Sequence, residues 1–369
     1  MKILVVGMSE ILGGVERVVL SVINGCLDEI SFDFLCFGDN YPYQSDYPNS
    51  VFYYIPRRRE NFKESQRKQE LFWKNEGRKY DVIWINTSSA SNITSYRFAK
   101  KYTQAKIVSH SHGSKIEHNS NMLRSAHNIL HFLNRNKLVS LSDKLIACSK
   151  NAAEHLYGKA AKKAQIVYNG IDTQSFTFDS KNRKRVRDEL GIHERTIVLI
   201  CVGRIEKVKN FLYAVKVFQY LVRTAPCFKA RLIIIGDGSE SKTISNYIEH
   251  NSIDGVYMLG YKPDVKPYLD ASDIFLQPSF FEGFPVSVIE AQANGLKCII
   301  SNKVTKEVEV TDLVHFLDIN DKDICEWAKE IIDSEQIIDR IAYNRMIHQQ
   351  GFDAQNVINE MKKVFFSVE

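Results

Sequence analysis

The sequence predicts an α/β protein built as two doubly wound, parallel-sheet domains facing one interdomain cleft, and three observations carry that reading. Short apolar, β-branched runs alternate with longer helical patterns from end to end, as parallel strands joined by helical crossovers do. The pattern restarts once, after Gly170. The length of 369 residues suits two domains of roughly 100 to 200 residues each.

In the first half, strands are expected at Lys2 to Val6, Phe32 to Phe37, Val51 to Ile55, Asp81 to Asn86, Lys106 to His110, Lys144 to Cys148 and Gln165 to Tyr168. Then Asn169-Gly170-Ile171-Asp172 and a charged stretch from Asp179 to Glu189 break the rhythm, which sets a domain boundary near Gly170. The second half places strands at Thr196 to Val202, Arg231 to Ile235, Val256 to Leu259, Ile274 to Gln277 and Lys297 to Ile300. Ligands of such sheets bind beyond the strand carboxyl ends, so the cleft between the halves is the expected site.

Composition narrows the function. Lys and Arg (49) exceed Asp and Glu (44) only slightly, which gives no overall argument for nucleic acid. Seven cysteines without a Cys-x-x-Cys, most inside apolar runs, read as buried thiols of a reducing compartment. No apolar run approaches the roughly 18 to 20 residues that span a bilayer. Met1 to Gly7 is too short an apolar stretch for a signal peptide and reads as the first strand of a cytoplasmic protein.

One region is strongly basic. Val51 to His110 holds 13 Lys or Arg against five acids. Two readings stand: a solvated helix face, or an attraction to an anionic membrane or phosphate-bearing substrate through Arg57 to Lys106, with Phe62, Phe72 and Trp73 interleaved as on a membrane-facing helix.

Several segments have the residue types that chemistry needs. After the first strand, Gly13-Gly14-Val15-Glu16 opens a helix: it is either a tight turn or a place where backbone amides approach a phosphate. It lacks the Gly-x-Gly-x-x-Gly of dinucleotide enzymes, which weakens an oxidoreductase reading. Val202-Gly203-Arg204 ends a strand and Lys209-Asn210 opens the next helix, a pair of cations able to hold a diphosphate without metal.

The segment Gln277 to Ala291 is the densest. Pro285 suits the first position of a helix, leaving Glu282 and Gly283 in the preceding loop and Glu290 inside the helix. Eight residues at helical rise separate the two carboxylates by about 12 Å, longer than the roughly 5 to 9.5 Å of a glycosidase pair. Two hydroxyl-accepting sites on an extended ligand fit better. Glu290 is otherwise a core acid, and among Val286, Val288, Ile289 and Ala291 it needs a partner.

His110 and His112 close a strand in the first half, where a packing role competes with a catalytic one. Their alternation is read as turning them to opposite faces, so that only one enters the cleft. His-x-His lacks a nearby third ligand, so a zinc site is disfavoured. Asp321-Lys322-Asp323 resembles a metal-binding Asp-x-Asp but sits where a helix N-cap is expected.

Together these residues resemble the group 1 (family 4) retaining glycosyltransferases of GT-B fold, two Rossmann-like doubly wound domains. The motifs are Gly13-Gly14-Val15-Glu16, Ser111-His112, Tyr168-Asn169-Gly170-Ile171-Asp172, Val202-Gly203-Arg204 with Lys209-Asn210, Ile235-Gly236-Asp237-Gly238, Leu259-Gly260-Tyr261, and Glu282 with Glu290. Bacterial capsule and exopolysaccharide transferases look most similar, through Ile146-Ala147-Cys148-Ser149.

The resemblance implies transfer of a hexose or N-acetylhexosamine from a nucleoside diphosphate sugar, a UDP-sugar by preference, to a saccharide or polyprenyl-linked acceptor. It implies no cofactor and no metal. Arg204 and Lys209 would grip the diphosphate, with Gly13, Gly14 and Gly203 beside it. Glu290 would take the ribose, and Tyr261 and Lys262 would border the base. Glu282, with Gly283, Phe284 and Pro285, would hold the sugar, His112 would lie at the reacting carbon, and Glu16 would serve the acceptor. Ser111 to Asn121 would form an acceptor loop.

In this fold the last helix crosses back, so the first domain is expected to cover residues 1–170 plus about 352–369, and the second 171–351. The protein is then cytoplasmic, peripheral at the inner face of the membrane. The alternatives are a non-catalytic partner subunit of the same fold that binds saccharide or another transferase, and a sugar phosphorylase or nucleotide-sugar epimerase.

Overall fold

The structure, a computed structural model, describes residues 1–10, 13–113, 121–334 and 339–368. Two compact units divide the chain: Met1–Gly170 with Ala354–Glu369, and Ile171–Asp353.

The first unit is a seven-stranded sheet of β1 (Lys2–Val6), β2 (Ser31–Phe37), β3 (Phe52–Ile55), β4 (Val82–Thr87), β5 (Lys106–Ser111), β6 (Lys144–Ala147) and β7 (Gln165–Ile166). The order is β3-β2-β1-β4-β5-β6-β7, and every pairing is parallel. Helices α1 (Gly14–Asn24), α2 (Phe62–Asn75), α3 (Thr94–Tyr102), α4 (Asn121–Leu141) and α5 (Lys150–Tyr157) make the crossovers. Parallel strands covered on both faces must be apolar throughout, which is why Ile3-Leu4-Val5 is fully buried.

The second unit has a six-stranded parallel sheet of β8 (Ile197–Val202), β9 (Ala230–Ile235), β10 (Val256–Met258), β11 (Ile274–Gln277), β12 (Lys297–Ser301) and β13 (Val314–Leu317), in the order β10-β9-β8-β11-β12-β13. Its helices are α6 (Ser180–Glu189), α7 (Phe211–Thr224), α8 (Ser241–His250), α9 (Lys266–Ala271), α10 (Val286–Ala293), α11 (Ile324–Ile332) and α12 (Arg340–Ile347). Strand β13 is not among the expected strands. It is a four-residue edge strand in which His315 interrupts the continuous apolar run that marks the other strands.

The last helix, α13 (Ala354–Ser367), belongs to the first unit. Its apolar side, Val357, Met361, Val364 and Phe365, joins the core beside α1 and the sheet. The Phe365 ring meets Trp84 edge-on at 5.2 Å and Phe32 at 6.4 Å.

The aromatic interleaving in the basic segment is not a membrane face. Helical spacing turns Ser65, Gln69, Phe72 and Trp73 of α2 inward, so Phe72 and Trp73 are core residues and only Phe62 is exposed. Many of the cations are matched locally: Arg67 pairs with Glu64 at 2.8 Å, Lys74 with Glu70 at 3.4 Å, Lys79 with Glu76, and Arg57 with Glu10 and Glu60.

Candidate functional site

In each sheet the strand order reverses at one point, and there the crossovers leave in opposite directions and open a crevice at the strand carboxyl ends. In the second unit that point lies between β8 and β11. The loops leaving these two strands carry Gly203, Arg204 and Lys209 on one side and Glu282 to Pro285 on the other.

Close backbone approach shapes this edge. Gly236, after β9, has φ +139, and a Cβ there would come within 1.8 Å of the Gly203 carbonyl oxygen. No other residue fits without moving the two strand ends apart. Two hydrogen bonds then tie the β8 loop to the β11 loop: Asn210 Nδ2 donates to Pro278 O at 3.1 Å, and Phe280 N donates to Val208 O at 2.9 Å.

Between those loops the Lys209 ammonium pairs with Glu282 Oε1 at 2.6 Å, with both side chains largely buried. The same oxygen accepts from Ser279 Oγ at 3.0 Å and Gln277 Nε2 at 3.2 Å. Three donors on one oxygen hold the carboxylate in place, and the neighbouring Gln277 Oε1 is buried without a partner. Arg204 is exposed on the strand-end loop.

Helix α10 starts at Val286, with Pro285 as its N-cap at ψ 105. Pro285 therefore stands one position before the expected start, because extended ψ at that residue is what turns the chain into the helix. Only Val286 to Glu290 rise helically, so the separation of Glu282 and Glu290 does not follow from helical rise over eight residues. Glu290 is half-buried and engaged. Phe284 stacks on Phe352, with centroids 5.9 Å apart. Tyr261 and Lys262 follow β10 on the same edge of the sheet, past Gly260, whose carbonyl accepts from Gly236 N at 2.9 Å.

In the first unit the order reverses between β1 and β4, and a second cluster sits there. Gly7 ends β1 with φ +95, and a Cβ on it would lie 1.9 Å from Asn86 O. Gly13 caps α1 and Gly14 is its first residue, with nothing within 4 Å of a Cβ built there. Glu16 acts locally, since its two carboxylate oxygens accept from Ser9 N and Gly13 N, each at 3.1 Å, and fasten the loop before α1.

His112 Nε2 donates to Asn86 Oδ1 at 2.8 Å, and its Nδ1 is buried without a partner. Burial lowers the His112 pKa to about 3 and drives that of His110 well below its usual value, with the His112 neighbour adding to the effect at His110. The two histidines do not face opposite ways. Residues two apart in a strand share a face, and the rings lie 4.0 Å apart. His110 is the packing member, stacked on Trp84 and accepting its indole N–H at 3.4 Å.

Asn86, Gln277 and Ser279 are site residues that the sequence motifs do not mark. The available signal is a polar residue ending an apolar strand, as in Val82-Ile83-Trp84-Ile85-Asn86 and Ile274-Phe275-Leu276-Gln277. The acceptor-loop expectation, Ser111 to Asn121, falls at 114–120 outside the described residues, as do Ile11 and Leu12. Asp323 accepts from Asn320 N at 3.1 Å and so fastens the short 3₁₀ turn Asp321–Asp323 that leads into α11, and Asp321 pairs with Lys216 at 3.2 Å. Among the described residues no three His, Cys, Asp or Glu side chains gather as metal ligands do. Of the cysteines, Cys227 and Cys325 are exposed and the other five buried, all as free thiols.

The family described as glycosyl transferases group 1 matches residues 182–347, and glycosyltransferase family 4 matches residues 12–175. A putative glycosyltransferase of Bacillus subtilis, EpsF, is 28% identical over 238 residues, 63% of this chain and 61% of that protein. An Escherichia coli enzyme named UDP-Gal:alpha-D-GlcNAc-diphosphoundecaprenol alpha-1,3-galactosyltransferase is 32% identical over 143 residues, 38% of this chain and 37% of its own. The matched stretches thus span less than two thirds of either relative. The crystal structure of Anabaena HepE in complex with UDP superposes with a TM-score of 0.79 at 16% identity, covering all of both chains, a likeness of fold. Two parallel doubly wound units, both family matches in order along the chain and this common architecture lead to one conclusion: the chain belongs to the group 1 glycosyltransferases of GT-B fold.

Proposed function

We propose that the protein transfers a hexose or N-acetylhexosamine, with retention, from a UDP-sugar to a saccharide or lipid-linked saccharide acceptor in surface polysaccharide synthesis. The observation that carries this reading is the Lys209–Glu282 pair at 2.6 Å across the switch point of the second unit, with Arg204 on the same loop as Lys209. UDP bound to the Anabaena protein and the diphospholipid-linked saccharide in the Escherichia coli enzyme's name support the donor and acceptor classes.

In this reading negative charge grows on the diphosphate as the glycosidic bond breaks, and the sugar becomes oxocarbenium-like. Arg204 and Lys209, in place of a divalent metal, stabilise that charge more in the transition state than in the ground state. Glu282 orients Lys209 and accepts sugar hydroxyls, Glu290 takes the ribose, Tyr261 and Lys262 border the base, and the amides of Gly283 and Phe284 face the donor. His112 is assigned to the reacting carbon and the Gly14 amide to a phosphate oxygen. The acceptor attacks the same face, and the departing phosphate takes its proton.

The test is a nucleotide-sugar screen by thermal shift, followed by turnover with and without EDTA. A UDP-sugar is expected to raise Tm by mass action and to be consumed with EDTA present. Donor binding with no turnover on any acceptor would favour a non-catalytic partner subunit. Stabilisation by no nucleotide sugar would refute the reading.

A further inference from the structure

Helix α4 is unlike the other crossovers of the first unit. Its inner side packs on α3 and α5, with His131 and Leu138 buried. Its outer side carries Ile129, Leu130, Phe132 and Leu133, which are 62%, 47%, 65% and 69% exposed. Ile129, Phe132 and Leu133 lie three and four residues apart, so they share one helical face. Isolated exposed apolar residues need no explanation, but four within five positions form a patch.

The surroundings of the patch are basic. Helix α4 contains Arg124, Arg135 and Lys137 and no Asp or Glu. The Arg135 guanidinium stands over the Phe132 ring at 4.6 Å, at the border of the apolar face. The 3₁₀ turn Gly158–Lys163, which also packs on α4, adds exposed Lys159, Lys162 and Lys163. No described helix, α4 included, is long and apolar enough to cross a membrane.

We propose that α4 is a membrane-docking helix: Ile129, Leu130, Phe132 and Leu133 enter the headgroup boundary of an anionic bilayer, and Lys137, Lys159, Lys162 and Lys163 meet its phosphates. An apolar face bordered by cations is the pattern of a helix that lies in the interface without spanning it. Charge selects this occupant over a second copy of the chain, since two such faces would bring like charges together. The proposal moves the membrane contact away from Arg57 to Lys106, where Phe72 and Trp73 are core residues. It is independent of the transferase reading, because it is read by binding alone.

The experiment is co-sedimentation with phosphatidylcholine vesicles containing about 30 mol% phosphatidylglycerol, against phosphatidylcholine alone. The full chain is expected to partition onto the anionic vesicles. The exposed-face variant Ile129→Ser/Phe132→Ser/Leu133→Ser is expected to lose at least roughly tenfold in partitioning. Lys159→Ala/Lys162→Ala/Lys163→Ala should lose the preference for anionic lipid, and Arg57→Ala/Arg58→Ala/Arg59→Ala should bind as the parent does. Phe132→Trp supplies a readout that tolerates any folding defect of the triple variant, since its emission should shift to the blue only with anionic vesicles. Unchanged partitioning of the serine variant, an unshifted emission spectrum of Phe132→Trp, or a parent that ignores vesicles while the serine variant breaks a dimer would each overturn the proposal.

Discussion

His112 Nε2 and Asn86 Oδ1 are 2.8 Å apart, and this contact fixes the tautomer of the histidine. A carboxamide oxygen only accepts, so the proton is on Nε2 and the buried Nδ1 is left as a bare lone pair. Asn86→Leu removes the acceptor and lets the ring exchange tautomers. The expected outcome is a change in the His112 ring ¹⁵N shifts from a single Nε2–H form to a mixture. Turnover should fall about tenfold or more if that lone pair meets a donor hydroxyl, as a lost buried hydrogen bond of about 1.5 kcal/mol implies. An unaltered ¹⁵N pattern would remove Asn86 from this role.

Acid should weaken the first unit. His110 and His112 are buried neutral, the pKa of His112 lowered to about 3, while an unfolded histidine titrates near its ordinary value. Below about pH 6.5 the unfolded chain therefore binds protons that the folded chain refuses. Stability is fully present above that pH and is lost as pH falls toward 3, by up to about 1.4 kcal/mol per pH unit for each such histidine. Hydrogen exchange of the β5 amides at pH 7 and pH 5 checks the sign, and His110→Gln should flatten the dependence.

Two glycines separate folding from function. Gly236→Ala puts a methyl carbon 1.8 Å from the Gly203 carbonyl oxygen at φ +139, so it should destabilise the second unit by at least about 2 kcal/mol. Gly14→Ala meets nothing within 4 Å and should leave Tm unchanged. If the Gly14 amide faces a phosphate, the added methyl should raise KM for the donor. Thermal unfolding and donor saturation curves on both variants distinguish the two cases, and a large Tm loss in Gly14→Ala would contradict the open space seen there.

What the sequence discloses about this protein is local. Twelve strands announce themselves as apolar runs, and β13 does not, because His315 interrupts its four-residue run. Arg204, Lys209, Glu282 and His112 stand out by residue type at strand ends. The pairing of Lys209 with Glu282 is not legible, since it depends on β8 and β11 becoming neighbours, and strand order is set by packing between distant segments. The same gap hides Asn86, whose significance lies in β5 being its neighbour. The expectation of opposite-facing His110 and His112 fails because the period of a strand is two.

The Lys209–Glu282 pair makes a prediction that neither residue makes alone. Lys209 is held by Glu282 at 2.6 Å, and Glu282 is also held by Ser279 and Gln277, so removing either charge disturbs the other. Lys209→Ala should lower kcat at least about a hundredfold, the 2.7 to 4 kcal/mol typical of a lost charge-stabilising group. Glu282→Ala should also lower kcat, because the lysine is no longer aimed. Residues acting as a unit do not contribute independently, so the double variant should fall short of the product of the single effects by at least about 1 kcal/mol. Steady-state kinetics on the four proteins of that cycle provide the measurement. Strict additivity would mean the two side chains act separately, and near-normal turnover in Lys209→Ala would remove the cation from the chemistry altogether.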